Sequence, residues 1–255
     1  MGRGWHHGKR VGARIRGFSF ALPLPIGRAR AFLGSPPKLR KIRVLLIRHG
    51  QTEFNRVFSI TRRDPGVHDP HLTDHRRRQA QAAARVLRFF NLGRLITRPY
   101  ARALATAGII AEYLNLPIAV EPLIAERFSL TCDIGSPLAE LRAGWPDLAF
   151  DHLPDPRWPQ AEETEEMIWH RSQSFRRRIA GEPWPQIGVV THWGFIRALT
   201  GAKVPNGAVL RIDPDPARPR ARAAFCAGGG LGPGPTVDAP SRSMLGQQAP
   251  VLGRR

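Results

Sequence analysis

Between residues 42 and 212, short apolar runs alternate with longer amphipathic stretches. Arg43 to Ile47 is apolar and partly β-branched, the pattern of a strand buried on both faces of a parallel sheet. Leu92 to Thr97, Ile118 to Glu121 and Ile187 to Thr191 predict three more strands. Between them, Asp74 to Phe90 places Ala80, Ala83, Ala84, Leu87 and Phe90 on one side of a helix. Ala101 to Leu114 does the same with Leu104, Ala107, Ile110 and Ala111, until Asn115 to Pro117 breaks the pattern. Residues 161 to 180 predict a helix with Glu162, Glu163, Glu165 and Glu166 at its start and Arg176, Arg177 and Arg178 near its end, which suits the helix dipole. Such alternation predicts an α/β fold with a largely parallel sheet.

The flanks read differently. Residues 1–41 carry ten basic residues and no acid, just over half of the formal net charge of +19, and are punctuated by Gly and Pro without a sustained period. This arm is expected to be a disordered basic extension. Its scattered basic residues lack interleaved aromatics, so nucleic acid is not expected as a partner; an Arg-rich targeting segment and translation from an early start codon are the other readings. Residues 213–255, rich in Gly, Pro and Arg, are expected to form a disordered tail, because they cannot bury a core. Cys132 and Cys226 are the only cysteines, which excludes a disulfide framework and a thiolate metal site and suggests a reducing, cytoplasmic setting. No run approaches the ~20 apolar residues of a membrane span, so no membrane is expected.

Two of the strands end in a histidine, at His49 and His192, each followed closely by a glycine. In a parallel sheet both would reach the same edge, where such folds place their chemistry. Neutral imidazole can attack phosphorus, and guanidinium forks bind phosphate oxygens, so His49 beside Arg48 suits phosphoryl chemistry without a metal. On composition alone, a His-Gly pair after a strand is equally a turn.

The run Leu46, Ile47, Arg48, His49, Gly50, Gln51, Thr52, Glu53, Phe54, Asn55 resembles the signature of the histidine phosphatase superfamily, in its phosphoglycerate-mutase-like branch. Asp69, Pro70, Leu72, Thr73, Gln79 and Ala80, then Pro99, Arg102, Ala103, Thr106 and Ala107, resemble its next two blocks. Glu126 with Arg127, and Thr191, His192, Gly194, Ile196 and Arg197, complete the series in order. The resemblance spans residues 42–212. It implies a three-layer α/β/α fold and a phosphatase acting on a small phosphorylated substrate, with no cofactor and no metal. His49 would be the nucleophile, Arg48 and Arg102 would clamp phosphate, and Asn55 would hydrogen-bond in the same pocket. His192 would stabilise the transferring group, and Glu126 would be the acid and base. A phosphomutase or a non-catalytic phospholigand-binding module are the alternatives.

Some positions depart from the family pattern: Arg76 replaces a glycine, Arg98 a serine before Pro99, and Ala105 a glutamine before Thr106. Arg98 is expected near the pocket, either adding a phosphate contact or disturbing the loop. Selectivity is expected in the aromatic connection from Glu126 to Glu162, which holds Cys132, Asp133, Trp145, Phe150, His152 and Trp158 and suits a lid or rim, with each Trp expected first as structural packing.

Overall fold

The computed structural model describes residues 43–153, 158, 161–182, 186–215 and 222–226. The basic arm and most of the tail lie outside the described residues. Four parallel strands are β1 (Arg43–Arg48), β2 (Arg94–Thr97), β3 (Ile118–Val120) and β4 (Gln186–Thr191), and two antiparallel ones are β5 (Ala208–Ile212) and β6 (Arg222–Cys226). They form one mostly parallel sheet in the order β3-β2-β4-β1-β5-β6.

Successive residues of a strand face opposite sides, so the apolar centre of β1, Val44 to Ile47, needs cover on both. Val44 and Leu46 pack with Phe175, Ile179, Phe195 and Leu199, from helices α5 (Glu165–Ala180) and α6 (Trp193–Thr200). Leu45 and Ile47 pack with Ala83, Leu87, Ala103 and Ile110, from α2 (Asp74–Leu87) and α3 (Ala101–Leu114). These two clusters give the three-layer α/β/α arrangement. Two further helices, α1 (Glu53–Thr61) and α4 (Leu138–Gly144), lie in the connections.

The structure differs from the sequence pattern in three places. Helix α2 stops at Leu87, short of Phe90, which still packs against the apolar cluster, while Phe89 is 75% exposed. Strand β6, with Cys226, lies inside the segment expected to be an unstructured tail and pairs with β5, Ala208 opposite Cys226. Edge pairing of this kind is a long-range event that five residues of local sequence do not announce. Phe150, expected at a rim, belongs instead to a third apolar cluster with Leu104, Val120 and Leu141, and Trp145 packs against it, the structural role expected of the tryptophans. Gly108 admits the Trp145 ring, which stands 3.0 Å from where a Cβ would be. Among the described residues no helix is long and apolar enough to cross a membrane.

Candidate active site

The register of β1 against β4 sets Arg48 opposite Thr191, so both chains leave the sheet side by side. The His49 amide donates to Thr191 O at 3.0 Å, and the rings of His49 and His192 lie 5.0 Å apart, tilted by 55°. Both imidazoles are buried. His49 Nδ1 is 2.7 Å from Gly50 O, an acceptor, so Nδ1 carries the proton and Nε2 keeps its lone pair. Burial first, then the charges of Arg102 and Arg48, hold His49 well below the usual histidine range. His192 is held low by burial and by Arg102, with His49, Arg98 and Arg48 adding to the effect. Two neutral imidazoles therefore face each other at neutral pH.

Two arginines flank them. Arg102, on the first turn of α3, is buried, donates to Cys132 O at 2.7 Å and to Asp133 Oδ1 at 3.3 Å, and lies over the Tyr100 ring. Asp133 in turn accepts from the amides of Ser129 and Leu130, fixing the loop that holds the guanidinium. Burial opposes the charge on Arg102, but Cys132, Asp133, Tyr100 and Asp69 together keep it firmly protonated. Arg48 donates to Val204 O at 2.7 Å, and burial pulls it down to about 10, still charged at neutral pH. Asn55 lies one turn into α1, where its side-chain oxygen accepts from the Thr52 amide in a capping box and from Asn206 Nδ2.

Glu126 approaches from the loop after β3. Its Oε1 accepts from the amides of Arg127 at 2.9 Å and Gly194 at 2.7 Å. That grip uses one oxygen and leaves Oε2 for a proton. Burial, with Asp133 as a like-charged neighbour, raises the carboxyl above its usual range, against the opposing pull of the Arg127 amide, Arg102 and Arg48. A carboxyl raised in this way keeps its proton to higher pH than an ordinary carboxylate, as a general acid requires.

All six sequence-predicted residues meet here. Arg48, His49, Asn55, Arg102 and Glu126 line one cavity of about 550 Å³, and His192 packs directly behind His49. Arg48 Nε and both His192 ring nitrogens are buried with no hydrogen-bond partner among the described residues. The unsatisfied Arg48 Nε–H on the cavity wall fits a tetrahedral oxyanion, whose oxygen would accept from it, and the neutral His192 ring packed behind His49 holds one further unsatisfied N–H.

Arg98 takes neither expected role, since it does not line the cavity. Its guanidinium lies beside the Tyr100 and Trp158 rings, which stack on each other with centroids 5.0 Å apart, and donates to Pro122 O, while Tyr100 and His192 meet at right angles. It thus supports the histidine from behind. Asp133 was expected only as part of a rim, and Asn206, which donates to His49 O at 3.1 Å, carried no signal at all. Of the connection after Glu126, Arg127, Ser129, Leu130, Cys132 and Asp133 line the cavity, and His152 bonds Val120 O instead.

Comparison with known proteins agrees with this geometry. The profile of the histidine phosphatase superfamily (branch 1) matches residues 44–218. The chain is 30% identical over 156 residues to the uncharacterized phosphatase PhoE of Bacillus subtilis (strain 168), covering 61% of this chain and 74% of that protein. It is also 30% identical over 133 residues to the probable phosphoglycerate mutase GpmB of Cronobacter sakazakii, covering 49% and 58% respectively. A candidate α-ribazole-5′-P phosphatase from Escherichia coli K-12 shares the fold at 22% identity and a TM-score of 0.50, over 73% of this chain and 95% of that one.

Proposed function

The chain belongs to the histidine phosphatase superfamily, and from that premise we propose that it hydrolyses a small phosphomonoester through a phosphohistidine at His49, without a metal. The observation that carries this is the pairing of His49 Nε2, freed by the Nδ1 contact to Gly50 O, with the half-buried Arg48, the buried Arg102 and the His192 ring, whose nitrogens have no hydrogen-bond partner among the described residues. Nε2 attacks phosphorus in line, a P–N bond forms, and the ester P–O bond breaks. Glu126 gives its proton to the departing oxygen. Arg48, Arg102, His192 and Asn55 hold the phosphoryl oxygens as their charge develops. Water then attacks the phosphohistidine, Glu126 takes its proton back, and phosphate leaves His49 as it began.

Hydrolysis is favoured over transfer to a second ester by what surrounds the acid. A second phosphate would need additional cations in the connection after Glu126. Of the arginines described there, only Arg127 lines the cavity, while Arg142 pairs with Asp151 on the surface. The match also spans more of PhoE than of GpmB. The two cysteines, with Cys132 free and buried, support a reducing, cytoplasmic location.

The test is phosphate release from p-nitrophenyl phosphate and a panel of esters, with chelator present, by the full chain and its His49→Ala variant. Release that resists chelator and vanishes in the variant, with an acid-labile phosphoryl label on the wild type, is the expected result. No release across the panel from folded protein would move the reading to a mutase or a binding module.

A further inference from the structure

The cavity is much larger than a phosphate group, and its walls change character from floor to mouth. At about 550 Å³ it is in the range that holds an organic molecule of drug size. Above the phosphate clamp it is walled by aromatic rings. Phe54 and Phe58, one turn apart on α1, stack with centroids 5.7 Å apart, and Trp193 lies at the start of α6. Phe54 is buried, while Phe58 and Trp193 are half-buried. The lining also carries charge, with Arg127 and Arg197 both reaching the Glu165 carboxylate, and Arg127 paired in addition with Glu162 at 3.2 Å.

Glu165 Oε1 is 3.2 Å from Arg197 Nη1 and 3.7 Å from Arg127 Nε. Arg197 also lies over the Trp193 ring, at 5.4 Å, which joins the cationic rim to the aromatic belt. The Glu165 side chain is 61% exposed and the arginines are 42% and 31% exposed. Ion pairs this open to water contribute little, so a carboxylate arriving from solution can replace Glu165 with small loss. Released Glu165 keeps a favourable place in the first turn of α5, near the positive end of the helix dipole.

Resting on the phosphatase reading, we propose that the rim of Arg197 and Arg127 is a second anion subsite, occupied by Glu165 in the free enzyme. The substrate class is then a phosphomonoester whose alcohol carries a flat or apolar body and a second anionic group at its far end. The phosphate binds at Arg48 and Arg102, the body lies between Phe58 and Trp193, and the distal anion takes the place of the Glu165 carboxylate.

The experiment compares kcat/KM for 4-carboxyphenyl phosphate and 4-carbamoylphenyl phosphate, which differ at the far end chiefly in charge. Wild type should favour the carboxylate by about fivefold, the scale of a half-exposed ion pair, and added salt should erode the preference. The ratio is read within each protein, so a general loss of activity cancels. Arg197→Gln should bring it to about one, and Glu165→Gln, which vacates the subsite, should raise it above wild type. A ratio at or below one in wild type, or the same ratio in all three proteins, would overturn the subsite. Flexible 3-carboxypropyl phosphate should show a higher KM than the aryl carboxylate; an equal or lower KM would overturn the flat body. Turnover of neither aryl ester by folded wild type would instead overturn the phosphatase reading beneath it.

Discussion

Gly194 is the second residue of α6, where alanine would ordinarily favour a helix by about 1 kcal/mol. Here a Cβ would stand 2.2 Å from Glu126 Oε1, against about 3.3 Å for an ordinary carbon–oxygen approach, so the carboxylate must retreat by about 1 Å. The same displacement breaks the 2.7 Å bond from the Gly194 amide. Because the atom pushed aside is the end of a side chain, the fold can absorb the change. Gly194→Ala should therefore keep its melting temperature within a few degrees of wild type. Activity should not survive as well. A reacting group misplaced by ~1 Å loses on the order of 10² in rate, at the low end of what a general acid contributes. The assay is kcat/KM, which reports the step that forms the phosphohistidine, for two esters. p-Nitrophenolate departs with little need of a proton, whereas an alkyl alkoxide needs one. The loss should therefore be about a hundredfold for an alkyl phosphate and several-fold for p-nitrophenyl phosphate. An equal loss for both esters, or full activity with the alkyl ester, would refute the assignment of Glu126 as the acid held by Gly194.

Asp133→Asn removes the negative neighbour that helps raise Glu126, so the alkaline limb of kcat should move to lower pH; an unmoved limb would leave Asp133 a purely structural partner of Arg102. His49 and His192 are held neutral by burial, with folded pKa values below those of the unfolded chain. The unfolded state therefore takes up more protons below about pH 6.5, and stability should fall there by about 1.4 kcal/mol per pH unit for each histidine, partly offset by the raised carboxyls of Glu126 and Asp133. Urea titrations at about pH 7 and pH 5.5 should differ by about 2 kcal/mol, and a flat or rising stability on acidification would sink this account. In the middle of the sheet, a Cβ on Gly188 would lie 2.5 Å from Leu95 Cδ2, so Gly188→Ala should destabilise by about 1 to 3 kcal/mol in urea unfolding. Trimming the neighbour in Gly188→Ala with Leu95→Val should recover part of that loss.

What could be read from the letters, and what could not, follows one physical division. His49 and His192 were legible because an apolar run buried in a parallel sheet must end where its chain emerges, and that emergence is local to β1 and β4. Arg48, Asn55, Arg102 and Glu126 were legible through their family motifs, which keep each reacting type at a fixed spacing from its strand or helix. Their partners follow no spacing. Asp133 reaches Arg102 across 31 positions, and Asn206 reaches His49 across 157, so neither contact exists until the chain has folded back. Direction was hidden for the same reason. Trp145, Phe150 and Cys132 share one aromatic connection, yet the first two face a separate apolar cluster and the last faces the clamp. Apolar character says that a side chain will be buried, and leaves open against what. Gly50 and Gly194 make the point most sharply, because both follow a strand-end histidine and both suggest a turn or an anion contact. Gly50 is instead needed where Leu72 and the Arg76 carbonyl close in at 3.1 and 3.2 Å, whereas at Gly194 the anion contact exists and the anion is the chain's own Glu126 carboxylate. The reason for each glycine is the space beside it, and that space belongs to residues 22 or more positions away. The chemistry of this site is thus written in its motifs, whereas its pKa values, set by burial and by Asp133, belong to the fold.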